Sequence, residues 1–282
     1  MKDLVGKVAV VTGAGSGIGR ALAQRFAAEG MRVALADVDP TGLGETGRLL
    51  VEAGTDPGAL LAQPTDVRLE AEVDALADRV YREWGRVDVL CNNAGVFVGG
   101  FLWERPAADL EFVLGVNVWG ILHGIRAFVP RMIAAGGPGH VVNTCSIAGL
   151  LGTPFAGPYT VSKFAALAAT ETLANDLAAA GSEIKVTALC PGMVRTAIAS
   201  TIDERRPADL RTDVTEDQAF VNDVIVDVTA QGIDPADVAR MVVDAVRDET
   251  FLLLTHPHHA QALRDRAEQL AAGHLPPRGD FT

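Results

Sequence analysis

Residues 12–19 read Thr12-Gly13-Ala14-Gly15-Ser16-Gly17-Ile18-Gly19, directly after the apolar run Val8-Ala9-Val10-Val11 and directly before a helical pattern. Glycines let a chain turn sharply from strand to helix. They also let the backbone approach a pyrophosphate, whose charge then sits at the helix N-terminus. Gly13, Gly17 and Gly19 give the spacing G-x-x-x-G-x-G, a variant of the dinucleotide fingerprint that on its own is also compatible with a bare turn. Asp37, at the end of the next apolar run, strengthens the dinucleotide reading. A carboxylate there accepts hydrogen bonds from the adenosine ribose and repels a 2′-phosphate. No Arg or Lys follows Asp37 immediately and Ser16 is not basic, so NAD is expected rather than NADP.

Working outward, short apolar runs alternate with longer helical stretches. Strands are expected at 7–11, 32–36, 59–63, 87–91, 140–144, 184–190 and 251–255, each with little alternation, as strands covered on both faces read. Helical patterns fill 17–29, 41–53, 69–84, 109–135, 158–180 and 234–248. This order predicts an α/β chain: one Rossmann-like, doubly wound parallel sheet of about seven strands with helices on both faces, a single domain over 1–282. Two segments break the rhythm. Residues 197–232 form a long charged stretch, expected to be a loop that serves as a substrate lid. Residues 256–282 form a tail with a helix at 258–272 and a frayed Pro-Pro end.

The composition narrows the partners. The chain has 282 residues, 24 Lys and Arg against 36 Asp and Glu, and a net charge of −12. That balance argues against nucleic acid and anionic membrane surfaces. No apolar run is expected to span a bilayer, and no signal-peptide profile precedes the first strand, so a cytoplasmic protein is expected. Cys91, Cys145 and Cys190 form no CxxC pair, and His256, His258 and His259 lack a closed ligand set; no metal site is expected. From Asp203 to Asp227 eight acids face three bases, which concentrates the acidity in the lid and disfavours anionic substrates at its mouth.

Tyr159 and Lys163 stand four apart at the start of a helical stretch, on one face. A free tyrosine titrates near ~10 and is a poor base at neutral pH. A neighbouring ammonium and a positive nicotinamide are expected to lower that pKa, so that Tyr159 exchanges a proton with a substrate hydroxyl. Ser146, just after the fifth strand, is placed to hydrogen-bond the substrate oxygen.

With these residues in view, the sequence resembles the short-chain dehydrogenase/reductase family, closely from Lys7 to Thr196 and more loosely beyond. Thr12-Gly13-x-x-x-Gly17-x-Gly19, with Ser16 and Ile18 inside it, looks like the family's cofactor loop. The resemblance places Asp66 and Val67 near the adenine and matches Asn93-Ala94-Gly95 to the motif after strand four. It matches Pro191-Gly192, Val194 and Thr196 to the segment beside the nicotinamide. It implies that Tyr159 is the general acid/base, that Lys163 lowers its pKa and holds the nicotinamide ribose, and that Ser146 polarises the substrate. Asn117 would hold a water leading to Lys163. It also implies homodimers or homotetramers through the helices bearing Asn117 and Tyr159, whose apolar faces exceed what one core contact needs. Cys145 departs from the second serine that many members carry.

Ligands bind beyond the carboxyl ends of parallel strands. Ala148, Phe155 and Met193 are therefore expected to line the substrate pocket with Ser146 and Tyr159, helped by Ile147, Leu151, Ile198, Ile202 and Phe220. These side chains are mostly apolar, so the expected substrate is a hydrophobic secondary alcohol or ketone. Phe128–Ile133 and Ala156–Tyr159 resemble relatives acting on bulky, aryl or steroid-like alcohols. Other readings are a 3-oxoacyl thioester reductase, whose Gly-Gln-x-Asn-Tyr segment is lacking here, an enzyme of epimerisation or dehydration, and a non-catalytic NAD-binding redox sensor or scaffold.

Overall fold

The structure, a computed structural model, describes residues 1–200 and 205–279. Its centre is a seven-stranded sheet in the order β3-β2-β1-β4-β5-β6-β7, every neighbouring pair parallel. The strands are β1 (Val8–Thr12), β2 (Arg32–Asp37), β3 (Leu60–Pro64), β4 (Val89–Asn92), β5 (His140–Thr144), β6 (Lys185–Cys190) and β7 (Leu252–Leu254). All five residues of β1 and all four of β4 are buried, which is why their sequences run apolar without alternation.

Helices cover both faces. One layer holds α1 (Gly17–Ala28), α2 (Pro40–Glu52) and α8 (Pro235–Asp248), whose Leu22, Phe26, Leu43, Val242 and Val246 share a core with Ala9, Val11, Val33 and Leu35 of the sheet. The other layer holds α3 (Glu70–Trp84), α4 (Ala107–Leu114), α5 (Gly120–Ala135) and α6 (Gly157–Ala179), with Leu76, Phe112, Phe128 and Leu173 clustered with Val10, Leu90 and Val141. Local chemistry fixes the ends. Asp39 caps α2 by accepting from Thr41 N and Asp234 caps α8 by accepting from Ala236 N, each followed by a proline in the first turn. Gly85 ends α3 with φ +71.

Strand β1 pairs with β2 on one side and β4 on the other, so the chain's winding reverses there and a crevice opens beyond the strand ends.

Four expectations need correction. The stretch 197–232 is not a loop throughout: α7 (Glu216–Ala230) occupies its second half, behind a short turn at Ala208–Leu210. Its buried Gln218, Val221, Ile225 and Thr229 recur at helical spacing among the acids that suggested a loop. The helix expected over 109–135 is interrupted by a π turn at Gly115–Trp119. Together α4, that turn and α5 form a unit, Ala107–Ala135, long and apolar enough to cross a membrane by length and composition; 61% of its apolar window is buried inside the protein, as in a core helix. Finally, the tail helix α9 (His259–Ala271) leads into a segment that returns to the body of the fold, where Gly279 N donates to Gly152 O at 2.8 Å.

Candidate active site

The crevice contains the glycine turn. Gly13 has φ +68, a conformation that costs glycine little. A Cβ on Gly19 would stand 2.0 Å from Gly13 O, so only glycine lets α1 start this close to β1. Ser16 precedes α1 without making a side-chain cap bond, and the first turn holds no acid. The helix end is therefore left open to an anion, which fits a dinucleotide pyrophosphate. Asn93 braces the turn: its Nδ2 donates to Thr12 O at 3.1 Å, while its backbone N–H and that of Ala94 donate to Thr12 Oγ1. Asp37 is buried and fixed, with Oδ2 accepting from Gly15 N at 2.9 Å and Oδ1 from Asp39 N at 3.0 Å. Asp66 is held by Arg68 at 2.6 Å.

One cleft brings together Gly13, Ser16, Gly17, Ile18, Gly19, Asp37, Asp66, Val67, Asn93, Ala94 and Gly95 with Ser146, Ala148, Tyr159, Lys163, Pro191, Gly192, Met193, Val194 and Thr196. Ile147 and Ile198 line it as well. Ile202 lies outside the described residues.

Ser146 follows β5 and its Oγ accepts from Ala148 N at 3.1 Å. Lys163 is buried and its Nζ donates to Thr144 O at 2.9 Å; the same nitrogen lies 5.6 Å from the centre of the Tyr159 ring. Burial pushes Lys163 down to about 8. Tyr159 as a residue is half-buried, yet burial pushes its phenol up to about 12, opposed by a hydrogen bond from Ser146. Among the chain's own groups, removal from water outweighs the partners of the phenol.

Four expected residues stand elsewhere. Asn117 is fully buried behind the cleft, in the π turn, where Oδ1 accepts from Val96 N and Nδ2 donates to Val96 O and Ser162 Oγ. Phe155 is not a cleft residue. Its left-handed backbone, φ +59, is rare for a bulky side chain, and its ring packs 4.6 Å from Phe101 and 5.9 Å from Phe220. Leu151 is in the core beside Cys145 and Cys190, and Phe220 is exposed.

Sequence reasoning missed Phe97, Ile225 and Arg205, all in the cleft. Phe97 sits two residues after the Asn93-Ala94-Gly95 segment, its ring 5.0 Å from Tyr159. Ile225 would have been found from the spacing of Val221, Ile225 and Thr229. Among the described residues no group of three or more His, Cys, Asp or Glu is placed to hold a metal ion, and all three cysteines are buried and free.

Comparison with known proteins agrees with this geometry. A family profile described as short chain dehydrogenase matches residues 7–207. The chain is 32% identical over 286 residues to the CLA biosynthesis dehydrogenase/reductase of Lactiplantibacillus plantarum, covering 98% of this chain and 97% of that protein. It is 40% identical over 213 residues to 1-deoxy-11-beta-hydroxypentalenate dehydrogenase of Streptomyces avermitilis, covering 75% and 77%. A crystal structure of a short chain dehydrogenase/reductase from Burkholderia phymatum in complex with NAD superposes with a TM-score of 0.95, at 41% identity and 99% coverage of both chains. With its parallel sheet, glycine turn and cleft, the chain belongs to the short-chain dehydrogenase family of oxidoreductases.

Proposed function

We propose that this protein is an NAD-dependent dehydrogenase that interconverts a hydrophobic secondary alcohol and its ketone, with Tyr159 as general acid/base. The observation that carries the reading is the meeting of Ser146, Tyr159 and Lys163 with an uncapped glycine turn in one cleft.

The turn at Gly13–Gly19 and the first N–H groups of α1 would take the pyrophosphate, and Asp37 the adenosine ribose. Asp66 and Val67 would flank the adenine end, and Asn93 to Gly95 and Pro191 to Thr196 the nicotinamide half. When bound, the nicotinamide supplies the hydride acceptor or donor. The fixed Asp37 carboxylate favours NAD by opposing a 2′-phosphate, and the Burkholderia phymatum relative carries NAD.

Ser146 Oγ accepts from Ala148 N, and its single proton, directed at the Tyr159 oxygen, would turn to donate to a substrate oxygen seated between the two hydroxyls. Burial holds Tyr159 protonated, the form that donates to a ketone, and it also makes the phenol a weaker acid. Lys163, with Nζ 5.6 Å from the ring centre, supplies the nearby positive charge that would favour the phenolate needed to accept a proton from an alcohol. Asn117 fixes Val96 and, through Ser162, the helix that carries Tyr159 and Lys163. Phe97, Ile147, Met193, Ile198 and Ile225 make the wall apolar, which supports a hydrophobic substrate. Trp119 and Val161 are exposed on α5's approach and on α6, which supports a homodimer or homotetramer across these faces, checked by light scattering.

The test is NADH absorbance with an alcohol and ketone panel. Tyr159→Phe should abolish turnover and keep NADH binding. Turnover retained in this variant overturns the catalytic role, and small polar polyols outperforming every hydrophobic alcohol overturn the substrate class.

A further inference from the structure

The guanidinium of Arg205 reaches back 189 residues in sequence to donate from Nη2 to Ser16 Oγ at 2.9 Å, at the N-terminus of α1. It lines the same cleft as Gly13, Gly17 and Asp37. Among the described residues, no carboxylate lies within ion-pair distance of it. The next residue turns the other way: Arg206 Nη1 donates to the buried Asp109 Oδ1 at 2.6 Å, to Thr212 Oγ1 at 2.6 Å and to Leu210 O at 3.2 Å. Thr212 and Gln218 also donate to Asp109, and Arg105 pairs with Asp217 at 2.9 Å. This buried network fastens the segment to α4 and leaves Arg205 aimed at the glycine turn.

That placement sets a cation against the positive end of a helix, an arrangement that is unfavourable until an anion lies between them. We propose that Arg205 is a pyrophosphate-binding residue, with the lid contributing its guanidinium to a bound dinucleotide opposite the N–H groups of α1. A guanidinium matches phosphate oxygens with two parallel donors. The inference rests on the dinucleotide reading of the cleft.

The test is equilibrium binding of NADH, ADP, adenosine, NADPH and 2′-AMP to wild type, Arg205→Gln and Arg205→Lys, at low and high salt. Circular dichroism and urea unfolding check that the variants fold. Arg205→Gln keeps a donor for Ser16 but loses the charge. It should weaken NADH and ADP by about tenfold, the order expected for one charge-assisted hydrogen bond, leave adenosine unchanged and flatten the salt dependence. Arg205→Lys should recover part of the loss. Unchanged NADH and ADP affinity overturns the proposal, as does equal weakening of adenosine. A loss confined to NADPH and 2′-AMP also overturns it, by moving the cation to the ribose phosphate. If wild type binds none of these ligands, the dinucleotide reading itself has failed, and that is seen before any substitution is compared.

Discussion

Replacing Lys163 with methionine should make the protein more stable while disabling it. The lysine is 2% exposed and its Nζ has the Thr144 carbonyl as a hydrogen-bond acceptor at 2.9 Å. Burial lowers its pKa from 10.5 to about 8. At about 1.4 kcal/mol per pKa unit, keeping the ammonium charged inside costs about 3 kcal/mol near pH 7. Methionine fills similar space without the charge, and leaving the Thr144 carbonyl without this donor returns about 1 kcal/mol of that gain. Lys163→Met should therefore be stabilised by about 2 kcal/mol. The sign follows from linkage: the unfolded chain holds this proton more tightly, so the wild-type penalty is full below about pH 8 and fades as pH rises toward 10.5. The variant has no such group, and the gap between the two proteins should close over that window. Urea unfolding of both proteins near pH 7 and near pH 10 measures the gap. Activity near neutral pH should fall at least about a hundredfold, the scale of a general acid/base contribution. A variant less stable than wild type near pH 7, or a gap independent of pH, would refute the reasoning.

Three further outcomes are expected. Gly19→Ala should weaken NADH binding at least about tenfold, read by fluorescence titration, because its Cβ meets Gly13 O at 2.0 Å; wild-type affinity would show that the turn can open freely. Asp109→Asn should cost about 3–5 kcal/mol in urea unfolding, since it leaves the buried Arg206 without its carboxylate; a loss under about 1 kcal/mol would mean that the network holds without its charge. Asp37→Asn should raise the NADP-to-NAD ratio of kcat/KM about tenfold, a change of about 1.4 kcal/mol, and an unchanged ratio would remove Asp37 from cofactor choice.

The sheet was legible because β1 and β4 are covered on both faces and so read as nearly unbroken apolar runs. The candidate site was legible because its residues sit at strand ends and at helical spacing, and Ser146, Tyr159 and Lys163 line one cleft. What was not legible depends on contacts between distant segments. The apolar side of α7 was hidden among Glu216, Asp217, Asp223 and Asp227, and only its packing against the cleft makes Ile225 a wall residue. The packing of Phe155 against Phe101 and Phe220 goes with a left-handed backbone angle that no side-chain pattern announces. The raised pKa of Tyr159 reflects how fully the phenol is enclosed, which the four-residue spacing to Lys163 does not report.

The order of the sheet also bears on how the protein folds. Across the seam between β1 and β4, Ala9 lies beside Val89, 80 residues away, the widest separation of any neighbouring strand pair among the described residues. Joining distant chain segments pays more loop entropy before contacts reward it, so this seam is expected to close late. The crevice opens at that seam, so the binding site would be assembled in one of the last folding steps. A dinucleotide spanning it would favour the closed state by mass action. Pulse-labelled hydrogen exchange that found β1 and β4 protected before β2 and β3 would contradict this order.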